Sequence, residues 1–447
     1  MKIEREIVSL FEEVFSTGKY ARKLFVPTPQ NVNYIEKRIR SLEKAISTQN
    51  TVYYFHCQEL LNYIKDVVNI FLSNPGYYLV NTIESLITAK VFIRREKLTN
   101  EEIVSIRKLL NFIREYVKIN EVYLEGLSEE IKILLKILRN AYKVKHDTAL
   151  IEIMYRLNTI KEEIKEFISS SKKNLMYEDI LEKIYGITLR EIENYIIFKT
   201  IEYEKALNKT FSESREPPLS IKQTIQALKV LAEDTLESFP REKLHVKKMP
   251  LVLTQYYGKA VYIPSERIYR KTAYGLLWIN PKAVKKLSRG ELIMLLAHET
   301  YFGHHYHYTS LAKQKIPILM KIPTYAKATP LVEGIAVYGE YAIGENLGYE
   351  REVVKRIFIK LIRALNDIAL NKDLSTPAIV ERHKEIVEKY TAFSKTRPGY
   401  WLCHIAGLKY MKELERNADT LRQLYGYITK VGLVSLNLLK GVEYAYY

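Results

Sequence analysis

Four of the chain's nine histidines fall within ten positions of one stretch, "LLAHETYFGHHYHYTSL", residues 295–311. Imidazole nitrogens grouped with a carboxylate are the donor set that holds zinc and lets it activate a water molecule. The stretch opens like a zinc-peptidase helix, with His298 followed by Glu299, but Phe302 stands four places after His298 where a second histidine would normally lie. A continuous helix does not repair this. At about 100° and 1.5 Å per residue, His304 points roughly 120° away from His298. His305 faces the same side but lies roughly 10 Å further along. Both nitrogens must come within about 2.0–2.1 Å of one ion. Gly303 offers a way out, because glycine at a helix C-terminus adopts the left-handed conformation readily and the chain can turn there. The spacing therefore predicts a break at Gly303 that carries His304 or His305 back toward His298. The competing reading is a core histidine at 298 followed by a surface cluster of three.

A zinc site needs a third protein ligand. "ATPLVEGIAVYGEYA", from residue 328, offers Glu333 early in an otherwise apolar helix, with Thr329 as the expected N-cap and Pro330 in the first helical position. A carboxylate there is costly to bury unless it is paired or bound to a metal. Glu340 lies on the same face two turns further on, too far to share the ion. It is expected to support a ligand from behind, to face substrate, or to form an ion pair.

The elements that would carry these groups are mainly helical. "SRGE", residues 288–291, reads as a capping box that starts the helix of His298 and Glu299. Residues 1–211 show three- and four-residue apolar spacing almost throughout, as in "EEIVSIRKLLNFIREYVKI", and form a helical N-terminal region. The polar "SESREPPLS" (212–220) marks the expected boundary, and 220–447 the expected catalytic region. "MPLVLTQYY", "AVYIPS" and "YGLLWINP", around 250–280, read as short strands, antiparallel if their connections are short.

Composition narrows the classes. The longest apolar runs are too short to cross a bilayer, and the charged "MKIEREIVSLFEEVF" is unlike a secretory signal, so no membrane association is expected. Two widely separated cysteines, Cys57 and Cys403, build neither a disulfide scaffold nor a cysteine zinc site, and suit a reducing cytoplasm. The net charge of +17 is spread among glutamates without a dense basic tract, which argues against a nucleic-acid partner.

"HETYFGHH" followed by "EGIAVYGE" resembles the domain of unknown function 885 family, whose patterns run roughly HExxPGHH and EGWAxYxE and which is grouped with gluzincin-type zinc metallopeptidases. "YYGKAVYIPSERIYRKTAYGLLWINP" and "RPGYWLCHIAGLKYMKEL" are similar to its strand region and late helix, so the likeness covers about 250–430. Phe302 and Ile335 stand where the family has proline and tryptophan, His404 where it has tyrosine, and Asn371 where it has histidine. The resemblance implies a multi-helix zincin-like metallopeptidase with a small antiparallel sheet at the active-site cleft. It implies Zn2+ held by His298, His304 and Glu333, with His305 the alternative to His304 as the histidine nearer His298 after the break. Glu299 would be the general base and His404 the donor to the oxyanion, with Tyr410 a second donor. Asn280 would belong to an edge strand that pairs with an extended peptide. Arg363 and Asp367, four apart on one helix, read as a surface ion pair. The expected activity is hydrolysis of oligopeptides admitted between the helical half and the catalytic half. The alternatives are a non-peptidase metal-dependent hydrolase and an inactive helical binding protein. Nothing in the sequence fixes the oligomeric state.

Overall fold

The structure, a computed structural model, describes residues 2–17, 23–46, 52–168, 177–209, 220–236, 242–254, 258–265 and 274–440. It is mainly helical with one small sheet. The chain forms two compact units. The first comprises Met1–Ile184, Leu370–Leu374 and Tyr390–Pro398, and the second comprises Tyr185–Ala369, Ser375–Lys389 and Gly399–Tyr447. The units therefore part at 184/185 and not at the expected 211–220, most of which (210–219) lies outside the described residues. The helix Leu189–Leu207 buries Leu189, Ile192, Ile196 and Thr200 within the second unit, which is why the polar segment after it is not the divide.

The first unit is helical throughout its described residues. Its central hairpin joins Leu124–Lys145 to Thr148–Lys165 through His146, in the left-handed conformation, and Asp147, whose side chain caps the second helix. Leu127, Ile131, Leu134, Leu138 and Ala141 recur at three- and four-residue spacing and are fully buried, so the amphipathic pattern becomes a packed face. Two π-helical segments, Val80–Glu84 and Thr88–Ile93, carry the buried Glu84 and Lys90. Arg397 donates to Glu84 at 2.6 Å, and Glu130 sits fully buried beside that pair. Burial, then the neighbouring Glu84, push the Glu130 carboxyl well above its ordinary value of 4.5, and Arg397 offsets this only in part. The folded chain thus keeps a proton that the unfolded chain releases, and stability falls as pH rises above about 4.5. Glu130→Gln removes that dependence. Denaturant titrations are expected to show the variant more stable than wild type at pH 7–8 by on the order of 1–3 kcal/mol, with the two converging near pH 4. Parallel curves across the whole range would contradict this account of Glu130.

The second unit carries the sheet, β1 (Leu244–Lys248), β2 (Ala260–Ile263) and β3 (Gly275–Ile279), in the order β1-β3-β2. β2 pairs antiparallel with β3, but β1 pairs parallel, so the sheet is mixed and not antiparallel. The first strand also lies earlier than expected: Leu251–Leu253 is a 3-10 turn, and β1 is the largely exposed "LHVKK", whose charged side chains hide it from an apolar pattern. β3 is central, which leaves β2 an edge strand.

Six helices of this unit are labelled in chain order: α1 (Leu189–Leu207), α2 (Arg289–Glu299), α3 (His304–Lys313), α4 (Thr329–Asn346), α5 (Glu350–Asn371, its last two residues in the first unit) and α6 (Tyr400–Glu415). The capping box forms as expected, with Ser288 Oγ accepting from the Glu291 amide at 3.1 Å and the Glu291 carboxylate accepting from the Ser288 amide at 3.1 Å. Thr329 is the first helical residue of α4 and not its cap, because a short 3-10 turn, Ala326–Ala328, leads directly into the helix. α4 and α6 pack backbone to backbone. A Cβ on Gly407 would stand 1.8 Å from the Pro330 carbonyl oxygen and 2.5 Å from the Gly334 Cα, so only glycine permits this approach.

Candidate metal centre

α2 ends at Glu299, and Thr300 leaves the helix with φ −118° and ψ −119°. The Thr300 carbonyl accepts from the amides of Gly303 (3.2 Å) and Tyr306 (3.1 Å), which ties the two sides of the break together. Tyr425 donates its hydroxyl to the Phe302 carbonyl at 2.6 Å and pins the loop. The chain does break before the second histidine, as the spacing requires. Gly303 is not left-handed, however: its φ is −138° and ψ −126°. What demands glycine is proximity, since a Cβ there would lie 1.8 Å from the His298 carbonyl oxygen. α3 then starts at His304.

The break brings His304 back to His298, with ring centroids 4.8 Å apart and planes nearly perpendicular. Glu333, from the first turns of α4, meets both. Its Oε2 lies 3.6 Å from His298 Nε2 and 3.8 Å from His304 Nε2. One donor atom from each of His298, His304 and Glu333 lies within 4.8 Å of the others. Donors at about 2.0–2.1 Å from a tetrahedral ion stand roughly 3.3–3.4 Å apart, so the separations of Glu333 from His298 and His304 are within a few tenths of an ångström of those around a shared ion. Burial lowers the His304 imidazole to about 3, which keeps its nitrogen neutral and free to ligate. Burial alone would raise the Glu333 carboxyl, yet His404, His304 and His298 together hold it well below the usual carboxylate range. Two imidazoles and one carboxylate form a nitrogen-and-oxygen donor set that fits a metal such as zinc.

Two residues of α6, one helical turn apart, complete the surroundings of Glu333. Tyr400 donates its hydroxyl to Oε1 at 2.8 Å, and His404 Nε2 lies 3.2 Å from Oε2. Behind His298, Nδ1 stands 2.7 Å from Glu340 Oε1. This is the arrangement that fixes a ligating imidazole so that Nε2 faces the ion. Glu340 is itself clamped by Arg356 and by Lys360, whose Nζ is 3.0 Å from Oε1. These cations hold the Glu340 carboxyl well below its usual range against the opposing effect of burial. Of the roles open to Glu340, the geometry shows two together, a place behind His298 and ion pairs with Arg356 and Lys360.

Glu299 follows His298 at the end of α2 and is 6% exposed. Burial pushes its carboxyl up to about 7, while His298 and the Tyr262 backbone amide pull the other way. That amide belongs to β2, so the edge strand runs beside the prospective base.

Several expected residues lie elsewhere. His305, one position past His304 on α3, turns to the sheet, where its Nδ1 is 3.3 Å from the Tyr262 hydroxyl. His305 and His307 are fully buried, so there is no surface cluster of three histidines. Asn280 follows the central strand and not an edge. Its side chain caps the short helix Pro281–Val284 and donates to the Gly258 carbonyl at 3.0 Å. Tyr410, six positions beyond His404 on α6, lines a small cavity with Ile187 and Leu436, away from the histidines. Arg363 and Asp367 are not at the surface as expected: Asp367 is buried and accepts from the Gly399 amide at 2.7 Å, ahead of α6, and Arg363 lies over the Trp401 ring. Reading the sequence missed Tyr400, Arg356 and Lys360. The only signal for Tyr400 was its place four residues before His404.

Comparison with known proteins bears on this site. Residues 188–366 match the family model described as "Bacterial protein of unknown function (DUF885)". The match agrees with the resemblance read from the two motifs and spans His298, Glu299, His304, Glu333 and Glu340, while Tyr400 and His404 lie beyond it. No curated protein sequence matches the chain. Among solved structures the chain is similar to one described as the "putative lipoprotein" from Colwellia psychrerythraea, with a TM-score of 0.71 at 14% identity over 98% of this chain and 96% of that one. A likeness at that identity speaks for the fold alone.

Proposed function

We propose that this chain is a zinc-dependent metallopeptidase of the gluzincin type that hydrolyses oligopeptides. The observation that carries the reading is the convergence of His298, His304 and Glu333 within 4.8 Å of one another, with the buried Glu299 next to the first of them. Bound there, zinc would polarise the scissile carbonyl and lower the pKa of water. Glu299 would take the proton from the attacking water and deliver it to the leaving amine. Tyr400 and His404 already present donors to Glu333, and on the same side they could reach the oxygen that gains charge. The edge strand β2 would offer its backbone to an extended peptide.

The reading is tested by incubating the protein with a mixed peptide library and a set of simple esters, with and without a chelator. Chelator-sensitive cleavage of peptides is expected. Cleavage of esters or non-peptide amides alone would favour the second reading, a metal-dependent hydrolase of another class, and no turnover of any substrate would favour an inactive binding protein. The two buried cysteines, each unpaired, accord with a cytoplasmic location.

A further inference from the structure

A cavity of about 300 Å³ opens among α1, α5 and α6, at the lower end of the volumes that enclose small molecules. Its floor is apolar: Ile357 and Leu361 from α5, Ile405 and Leu408 from α6. Tyr195 and Tyr203, two turns apart on α1, form one wall. Four cations surround it, Lys199, Lys409, Lys412 and Arg416, against one lining carboxylate, Glu413.

These cations are only partly matched. Lys409 pairs with Glu413 at 3.0 Å and Lys199 with Glu202 at 2.7 Å. The Lys412 ammonium stands 3.6 Å over the Tyr341 ring, and neither it nor Arg416 has an ion-pair partner among the described residues. Basic residues in the last turn of α6 would answer its helix dipole by themselves. That explanation does not reach Lys199 or the two tyrosines, which come from a different helix and converge on the same space.

We propose that this cavity binds an organic phosphate carrying a planar ring, a molecule of nucleoside monophosphate size. The ring would lie on the apolar floor against the tyrosines, and the phosphate would meet Lys412 and Arg416. Glu345 and Glu415 act on Lys412 without an ion-pair contact, so its ammonium and the exposed Arg416 guanidinium can both meet a phosphate. The site is separate from the histidine cluster, so the proposal does not depend on the peptidase reading.

Calorimetric titration of the full-length protein with AMP tests it, with adenosine and inorganic phosphate as the two half-ligands. Saturable AMP binding with Kd below about 1 mM is expected, weaker for either half alone and weakened by added salt. Arg416→Ser and Lys412→Ser are each expected to loosen AMP by about tenfold or more, the loss of a charge-assisted contact, while Lys132→Ser, in the first unit, leaves binding unchanged. Arg416 is exposed at the rim, so its variant keeps the test valid if Lys412→Ser does not fold. Absence of saturable binding, AMP binding no tighter than adenosine or phosphate, or affinity untouched by the Arg416 substitution would each overturn the proposal.

Discussion

Glu299→Gln is expected to keep its metal and lose peptide turnover by about 10²–10⁴-fold, the range that one positioned general base supplies. The substitution is nearly isosteric, and none of the three prospective ligand atoms belongs to residue 299. The amide cannot take a proton from water, whereas the carboxylate it replaces is buried one residue from His298. The KM for peptides should change far less than kcat, since the lost interaction acts on the transition state. Steady-state kinetics on any peptide cleaved by wild type measure this, together with metal content. Turnover within a few fold of wild type would remove Glu299 from the mechanism.

Gly303→Ala is expected to be the most damaging single-carbon change near the site. The added Cβ would begin 1.8 Å from the His298 carbonyl oxygen and 3.0 Å from that of Ala297, both backbone atoms that have no free rotation. The break must open, and His304 moves with it. A cost of about 3 kcal/mol or more is expected, as for other steric errors in a packed interior. That corresponds to a drop of roughly 6–12 °C in the melting temperature of a unit this size. Measuring chelator-treated wild type and variant side by side separates backbone strain from lost metal. The variant should melt lower even without metal, and bind metal much more weakly when it is returned. A variant with wild-type melting and metal affinity would show that the close approach is not what holds the break.

Much of this site was legible in the sequence because each of its parts rests on a short-range rule. The Ser288–Glu291 box fixed where α2 starts, and the failed four-residue spacing after His298 required a break at Gly303. The burial cost of Glu333 marked it as paired or metal-bound, and the two-turn offset of Glu340 put it out of reach of the ion, with its place behind His298 visible only in the structure. The choice of His304 over His305 came from family likeness and nearness, and the structure supplies the reason: at the start of α3 one residue's rotation turns His305 to the sheet.

What escaped the reading depended on long-range packing. Nothing local to "RPGYW" says that Tyr400 will reach a glutamate 67 positions earlier, and Tyr410 was the tyrosine expected in its stead. Arg356 and Lys360 are spaced like any surface pair on α5, yet both reach the buried Glu340. Asn280 suits both a substrate-binding strand end and a helix cap, and the short helix after it makes it a cap. The strand β1 pairs parallel with a partner 31 residues later, a register no tight turn could announce.

The central claim is that His298, His304 and Glu333 hold one ion together, and metal analysis of purified single variants tests it most directly. Wild type and His305→Ala are expected to carry about one equivalent of zinc per chain, and His298→Ala, His304→Ala and Glu333→Ala far less, because a tetrahedral site with one ligand removed loses most of its affinity. Folded His304→Ala or Glu333→Ala that still carried a full equivalent would contradict the account, as would wild type that bound none when zinc was supplied.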